Sequence, residues 1–283
     1  MAKIAFVTDS TTYMPKELLG KTELHVVPTV VIWEGEELRD GVDIQPSEFY
    51  KRLSTASEMP TTSQPTPAAF VELYKELAAS GVKEVISLHV SHKLSGTMAS
   101  ANQALEQVPE ANVKVIDGYS ASMGTGWPLL EGIKAAEAGQ SFDEVEKTIR
   151  QGMEKAGVLL MVDTLEFLHR GGRIGGASRF LGTALNLKPI LEVQDGAIEP
   201  LERVRTKKKA MDRLVSLVEE RIAGRSPSRV AVLHANALED ATQLLEDVKS
   251  RLNPEQAVVT DVSPSVGTHT GPGTLGICYI AGM

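Results

Sequence analysis

The sequence predicts an α/β protein of two domains: an N-terminal α/β/α domain on a parallel sheet, then a C-terminal α/β domain on a mixed or antiparallel sheet. Three observations carry this reading. The chain has 283 residues, enough for about two domains at roughly 150 residues each. Strand-like and helix-like segments alternate through the first half, the pattern of a parallel sheet covered by helices. The second half carries a hairpin signal, Gln194-Asp195-Gly196, among separated strands. The boundary is placed near residue 157, giving domains 1–157 and 158–283 with a ligand crevice between them.

The elements follow in order. Residues 3–7 form a short apolar run ending in the polar loop Thr8-Asp9-Ser10-Thr11-Thr12, as a buried strand would. Residues 24–33 are β-rich and stop at Glu34-Gly35. Residues 46–53 and 67–79 are predicted helices, each opening on a proline, whose missing N–H does no harm at the first helical position. Strand 84–90 precedes helix 96–107, and strand 113–116 precedes helices 121–138 and 142–156. In the second half a strand over 158–162 leads to a short helix and the segment Arg170-Gly171-Gly172-Arg173. A helix is expected over 177–186. Strands 188–193 and 197–204 flank the hairpin turn, and helix 207–223 follows. Strands 229–233 and 257–262 surround helix 238–252, and a last strand covers 275–281. There are no internal repeats.

Composition narrows the function. Lysine plus arginine total 29 against 37 aspartate plus glutamate, a formal charge of −8. An acidic chain is a poor general nucleic-acid binder and has no global attraction to an anionic membrane. The single cysteine, Cys278, excludes an intramolecular disulfide framework and a cysteine zinc cluster. The uncharged stretch 262–283 is interrupted by Pro264, Gly267, Gly271, Pro272, Gly273 and Gly276, so it does not read as a membrane span. Asp9 falls where a signal peptide would need apolar residues. A cytoplasmic protein without stable membrane insertion is expected.

Several segments could carry chemistry, each beside a plainer reading. Polar residues 8–12, at the end of a parallel strand, suit a ligand crevice or a helix cap by Asp9 or Ser10. Thr61-Thr62-Ser63-Gln64-Pro65-Thr66-Pro67 reads as a loop. Thr66 caps the next helix, leaving hydroxyls that could donate to a carboxylate or phosphate. Ser91-His92-Lys93-Leu94-Ser95-Gly96-Thr97 joins a strand to a helix. Ser95 sits at the cap position, and the free N–H groups there can receive an anion. His89 and His92 lack acidic partners in sequence, so no metal is assigned. Residues 170–176 could clamp an anion or simply connect two helices tightly. Arg205-Thr206-Lys207-Lys208-Lys209 is a solvated first turn capped by Thr206, or a place for an acidic partner, because lysines there oppose the helix dipole. Residues 267–276 contain a literal G-x-G-x-x-G, but no helix and acidic residue follow it, so it is not a dinucleotide site. Its useful content is His269 in a glycine-rich loop beside hydroxyls. There is no P-loop lysine motif and no G-x-S-x-G elbow, so these groups read as recognition groups.

Taken in register, these segments resemble the bacterial DegV family. Asp9-Ser10-Thr11, Thr62-Ser63-Gln64-Pro65, Leu94-Ser95-Gly96-Thr97, Leu168-His169-Arg170-Gly171-Gly172-Arg173-Ile174, Lys188-Pro189-Ile190-Leu191, Arg205-Thr206-Lys207-Lys208-Lys209-Ala210 and His269-Thr270-Gly271-Pro272-Gly273 occur in the family's order across the chain. The resemblance implies a protein that binds a long-chain fatty acid between its two domains, as a subunit of bacterial fatty acid kinase. A separate ATP-binding kinase subunit would then phosphorylate the carboxylate to an acyl phosphate. It implies that Thr62 and Ser95 hold the carboxylate, with Ser63, Gly96, Thr97, Thr270 and Arg173 around it. The positions Arg205 and His269 would serve phosphoryl transfer or partner engagement. The first loop departs from the family, with Thr12 and Tyr13 where an acidic residue is common. No cofactor and no nucleotide site of its own are expected, and a monomer is favoured. The alternatives are a stand-alone hydrolase or transferase using Ser95 and His269, or a carrier of another amphipathic ligand.

Overall fold

A computed structural model describes residues 4–182 and 187–283. The first half supplies β1 (Ile4–Asp9), β2 (Leu24–Val27), β3 (Val30–Trp33), β4 (Glu36–Arg39), α1 (Pro46–Leu53), β5 (Thr61–Ser63), α2 (Pro67–Ala79), β6 (Glu84–His89), α3 (Thr97–Ala104), β7 (Asn112–Asp117), α4 (Met123–Glu137) and α5 (Phe142–Lys155). The second supplies β8 (Ala156–Met161), α6 (Glu166–Arg170), β9 (Lys188–Gln194), β10 (Ala197–Val204), α7 (Lys207–Ile222), β11 (Ser228–His234), α8 (Leu238–Leu252), β12 (Gln256–Asp261), α9 (Pro264–Thr270) and β13 (Leu275–Ala281).

The strands form a four-stranded sheet, β2-β1-β6-β7, a six-stranded sheet, β10-β9-β8-β13-β11-β12, and a three-stranded sheet, β4-β3-β5. The first is parallel throughout, as the β/α alternation predicts. The six-stranded sheet is mixed: β11 and β12 run parallel, and the other pairings are antiparallel. Its β9–β10 hairpin turns at Asp195 and Gly196, both with positive φ of 49° and 79°, the geometry of a two-residue primed turn.

The small sheet departs from the sequence reading. The β-rich run 24–33 divides at Pro28 and Thr29 into strands of two sheets. Proline has no N–H to continue a ladder, so β2 ends and β3 turns away to pair with β4 and β5. Residues 61–63, read as loop, are strand β5, held in register by Val31↔Thr62. His269 lies in the last turn of a helix, α9, rather than in a glycine-rich loop. The Ser263 hydroxyl caps that helix by accepting from the Val266 N–H, with Pro264 in its first turn. The helix ends at Gly271, φ 76°, a conformation that favours glycine. The helix expected over 177–186 is instead a 3-10 segment, Gly175–Phe180; residues 183–186 lie outside the described residues. Helix α3 starts at Thr97, with Gly96 rather than Ser95 at its cap.

Apolar burial joins the small sheet and α4 to the six-stranded sheet. Trp33, Phe49, Tyr50, Trp127 and Ile280 share one buried cluster. Polar ties cross the same boundary. Tyr50 Oη donates to Val262 O at 2.9 Å, Trp127 Nε1 to Cys278 O at 3.2 Å, and Arg229 pairs with the buried Glu131.

Thr206 caps α7, its hydroxyl accepting from the Lys209 N–H at 3.3 Å. Thr206→Ala is expected to cost about 1 kcal/mol of stability and to leave ligand binding unchanged. Urea unfolding beside a binding titration checks both.

Candidate functional site

One cavity lies between the sheets, with about 930 Å³ of space between protein atoms, part of it open to solvent. Its apolar wall comes from both halves: Val90 and Leu94 after β6, Val158 and Leu160 of β8, Leu233 of β11 and Ile198 of β10. Its polar groups include Thr62, Ser63, Ser95, Arg173, His269 and Thr270. An apolar pocket with a few convergent polar groups is the usual form of a small-molecule site.

The strand at β5 decides which threonine faces the cavity. Side chains alternate along a strand. Thr62 opposes the fully buried Val31, whereas Thr61 is exposed. Thr62 Oγ1 lies 2.7 Å from His269 Nε2. The other ring nitrogen, Nδ1, is buried without a partner among the described residues. A buried N–H without an acceptor is rarer than an under-used acceptor, which assigns the proton to Nε2. The ring then donates to Thr62 and leaves the threonine O–H free for a ligand oxygen. Gly171 makes room for this arrangement: a Cβ there would stand 2.1 Å from His269 Nδ1.

Ser95 Oγ lies 2.8 Å from Thr97 Oγ1 and accepts from the Thr97 N–H at 3.3 Å. Either hydroxyl can donate to the other; when Thr97 donates, the Ser95 O–H is left for a ligand acceptor. Thr97 is fully buried and acts behind Ser95. The side chain of Gln64 packs against Gly96, 3.0 Å from where a Cβ would stand. Arg173 donates through Nε to Leu94 O at 3.0 Å and through Nη1 to Gly171 O at 2.8 Å. Its Nη2 has no protein acceptor among the described residues. Ser63 and Thr270 spend their hydroxyls on backbone carbonyls, Gln64 O at 3.3 Å and Val266 O at 3.3 Å. Arg170 is exposed and pairs with Glu166 at 2.5 Å. Arg205, after the far end of β10 from the hairpin, is exposed and does not line the cavity. The sequence reading of 170–176 is thus divided: Arg173 reaches the cavity and Arg170 does not.

The first loop is structural. Asp9 is fully buried and accepts from Thr11 N, Thr11 Oγ1, Val90 N and His89 Nδ1 at 2.5–3.1 Å. Burial pushes its carboxyl up, but the His89 ring and these donors outweigh it and hold Asp9 below the usual range. Thr11 lines the cavity with its hydroxyl already given to Asp9. Sequence reasoning missed Thr29 and Ser265, which also line the cavity and meet at 2.6 Å. The Ser263-Pro264 pair is a helix-start signal that could have located Ser265.

Burial, with the positive charge of Arg173, holds His269 down to about 4 from an ordinary 6.5. An unfolded chain gains this proton below about 6.5, while the folded chain refuses it until about 4. The contribution to stability is complete above that window and is lost as the pH falls through it. His269→Gln is expected to flatten this part of the stability–pH curve, as thermal unfolding between about pH 4 and 7 checks.

Among the described residues, no helix is long and apolar enough to cross a membrane. A family model described as "Uncharacterised protein, DegV family" matches residues 3–282. Protein DegV of Bacillus subtilis is 35% identical over 277 residues, 98% of each chain. A DegV family protein from Thermus thermophilus, described by its fatty acid binding, superposes with a TM-score of 0.92 at 39% identity, covering 99% of this chain and 100% of its own. A stearic-acid-binding protein from Eubacterium ventriosum gives 0.91 at 25% identity, covering 100% of this chain and 99% of its own.

Proposed function

The chain belongs to the DegV family, and from that premise we propose that it binds a long-chain fatty acid in the cytoplasm and presents the carboxylate to a separate ATP-binding kinase subunit. The observation that carries this reading is one apolar cavity lined also by two hydroxyl side chains, Thr62 and Ser95. The tail would lie among Val158, Leu160, Ile198 and Leu233. The carboxylate would accept from Thr62 and Ser95. These neutral donors hold the anion without a direct arginine fork, which would draw down its nucleophilicity.

In this reading Arg173, with Nη2 unspent, stands ready for charge that grows as a phosphoryl group arrives. Phosphoryl transfer depends on positioning and on such charge stabilisation. His269 orients Thr62 and stays neutral. Exposed Arg205, beside the exposed Lys208 and Lys209, is assigned to the partner surface. The two functional units divide near residue 157, at the start of β8, with the ligand between them, and the chain acts as a monomer.

Two measurements test this. Lipid extracted from protein purified from a bacterial host should contain fatty acid, about one molecule per chain. With the cognate kinase and ATP, that fatty acid should become acyl phosphate. Repeated preparations without extractable fatty acid, and without uptake when it is supplied, would reject the lipid reading. Turnover of acyl esters by the pure protein would favour a stand-alone enzyme.

A further inference from the structure

Side-chain ties bind α9 to the small sheet and its flanking residues towards each end of the helix. In its last turn, His269 meets Thr62 of β5. In its first turn, the Ser265 N–H donates to Asp40 Oδ2 at 3.1 Å. Ser265 Oγ meets Thr29 Oγ1 at 2.6 Å, and that threonine oxygen lies 3.3 Å from Asp40 Oδ2. Asp40 directly follows β4, in the same three-stranded sheet that carries Thr62. Ser265 precedes His269 by about 6 Å along the axis at 1.5 Å per residue. The sheet that holds one partner of the Thr62–His269 bond therefore also anchors the helix that holds the other.

Asp40 is 1% exposed, and its Oδ1 has no partner among the described residues. A buried carboxylate with a bare oxygen is costly, and packing alone would be served by an apolar side chain. What the carboxylate adds is an acceptor for a helix-start N–H, at the positive end of the dipole. Taking the carboxylate-site reading above as its premise, we propose that Asp40 is a positioning residue: it fixes the first turn of α9 so that His269 arrives against Thr62 and leaves the threonine O–H to the ligand.

The anchor has an acid–base signature. Burial raises Asp40 to about 6, against the pull of the Ser265 N–H and the hydroxyls of Ser265, Ser263 and Ser10. Among the described residues, Tyr13, Tyr50 and Asp261 share its electrostatic surroundings. Both tyrosines are pushed up by burial first, then by Asp261 and Asp40. No lysine, arginine or histidine neutralises Asp40 among the described residues.

The test uses the full chain, wild type, Asp40→Asn and Asp40→Ala. NMR follows the Ser265 amide and the His269 ring from about pH 4 to 8 without ligand, and oleate affinity is measured on the same preparations. In wild type the Ser265 amide should shift with an inflection near 6, the titration of Asp40; in Asp40→Asn that inflection should vanish. In Asp40→Ala the His269 titration should rise from about 4 towards the ordinary value of about 6.5. Oleate should bind it at least about tenfold more weakly, a change of 1.4 kcal/mol. Asp40→Asn, which keeps an acceptor oxygen, should retain oleate affinity within about threefold. A folded Asp40→Ala chain with wild-type His269 titration and oleate affinity overturns the proposal. So does an inflection near 6 that persists in Asp40→Asn, which decides the matter if the alanine variant does not fold. A wild-type chain that binds no oleate rejects the lipid reading alone, because the ring titration still judges the link from Asp40 to His269.

Discussion

Ser95→Ala and Thr62→Ala are each expected to weaken fatty-acid binding roughly ten- to a hundredfold, because a hydrogen bond to a charged group contributes about 1.5–3 kcal/mol. The two variants should differ in their side effects. Ser95 Oγ also accepts the Thr97 N–H at 3.3 Å, a local turn bond whose loss costs about 0.5–1.5 kcal/mol. Thr62→Ala instead strips the partner that His269 Nε2 has among the described residues, leaving a buried ring nitrogen unpaired, which costs about 1–3 kcal/mol. Thr62→Ala should therefore lose more thermal stability than Ser95→Ala at equal loss of affinity. Isothermal titration with oleate, beside thermal unfolding of the empty protein, separates the two effects. Unchanged affinity in both variants would mean that these hydroxyls serve only the local backbone.

The parallel sheet and the hairpin were legible because their signals are local. β/α alternation and Asp195-Gly196 each fall within one or two elements. The small sheet was not legible, because one of its strands is too short to carry a signal and its pairings are non-local. Residues 61–63 make too short a strand to show a period, and their pairing with β3 spans the whole of α1. The split of residues 24–33 rests on Pro28, whose missing donor matters only once the ladder partner is known. At the site, motif order pointed to Thr62, Ser95, Arg173 and His269, and all four line one cavity. What order along the chain could not convey is which groups are already spent. Thr11, Ser63 and Thr270 offer hydroxyls in sequence, yet in the fold these go to Asp9, Gln64 and Val266. Asp40 was invisible for the opposite reason. It belongs to no motif and gains its meaning from a helix 225 positions away.

Arg173→Ala and Arg205→Ala should both lower kinase-coupled turnover at sub-saturating kinase, by different routes that one pair of measurements tells apart. Arg173 lines the cavity with Nη2 unspent, beside a His269 that it helps to keep neutral. Loss of a preorganised charge-stabilising group typically costs about a hundred- to a thousandfold in rate. The fall should appear in kcat at saturating kinase, with fatty-acid affinity changed far less, because the bound carboxylate rests on Thr62 and Ser95. Arg205 is exposed and away from the cavity, so its removal leaves the carboxylate untouched. Its loss should raise the kinase concentration needed for half-maximal turnover and should make that dependence less sensitive to salt, since exposed charges steer association. Thr206→Ala, which disturbs the same turn without removing charge, is the control and should leave turnover near wild type. If Arg205→Ala lowers kcat at saturating kinase, Arg205 belongs to the transfer step rather than to the partner surface. If Arg173→Ala loses lipid affinity in proportion to turnover, its guanidinium holds the ground-state carboxylate, and the two hydroxyls share that role with it.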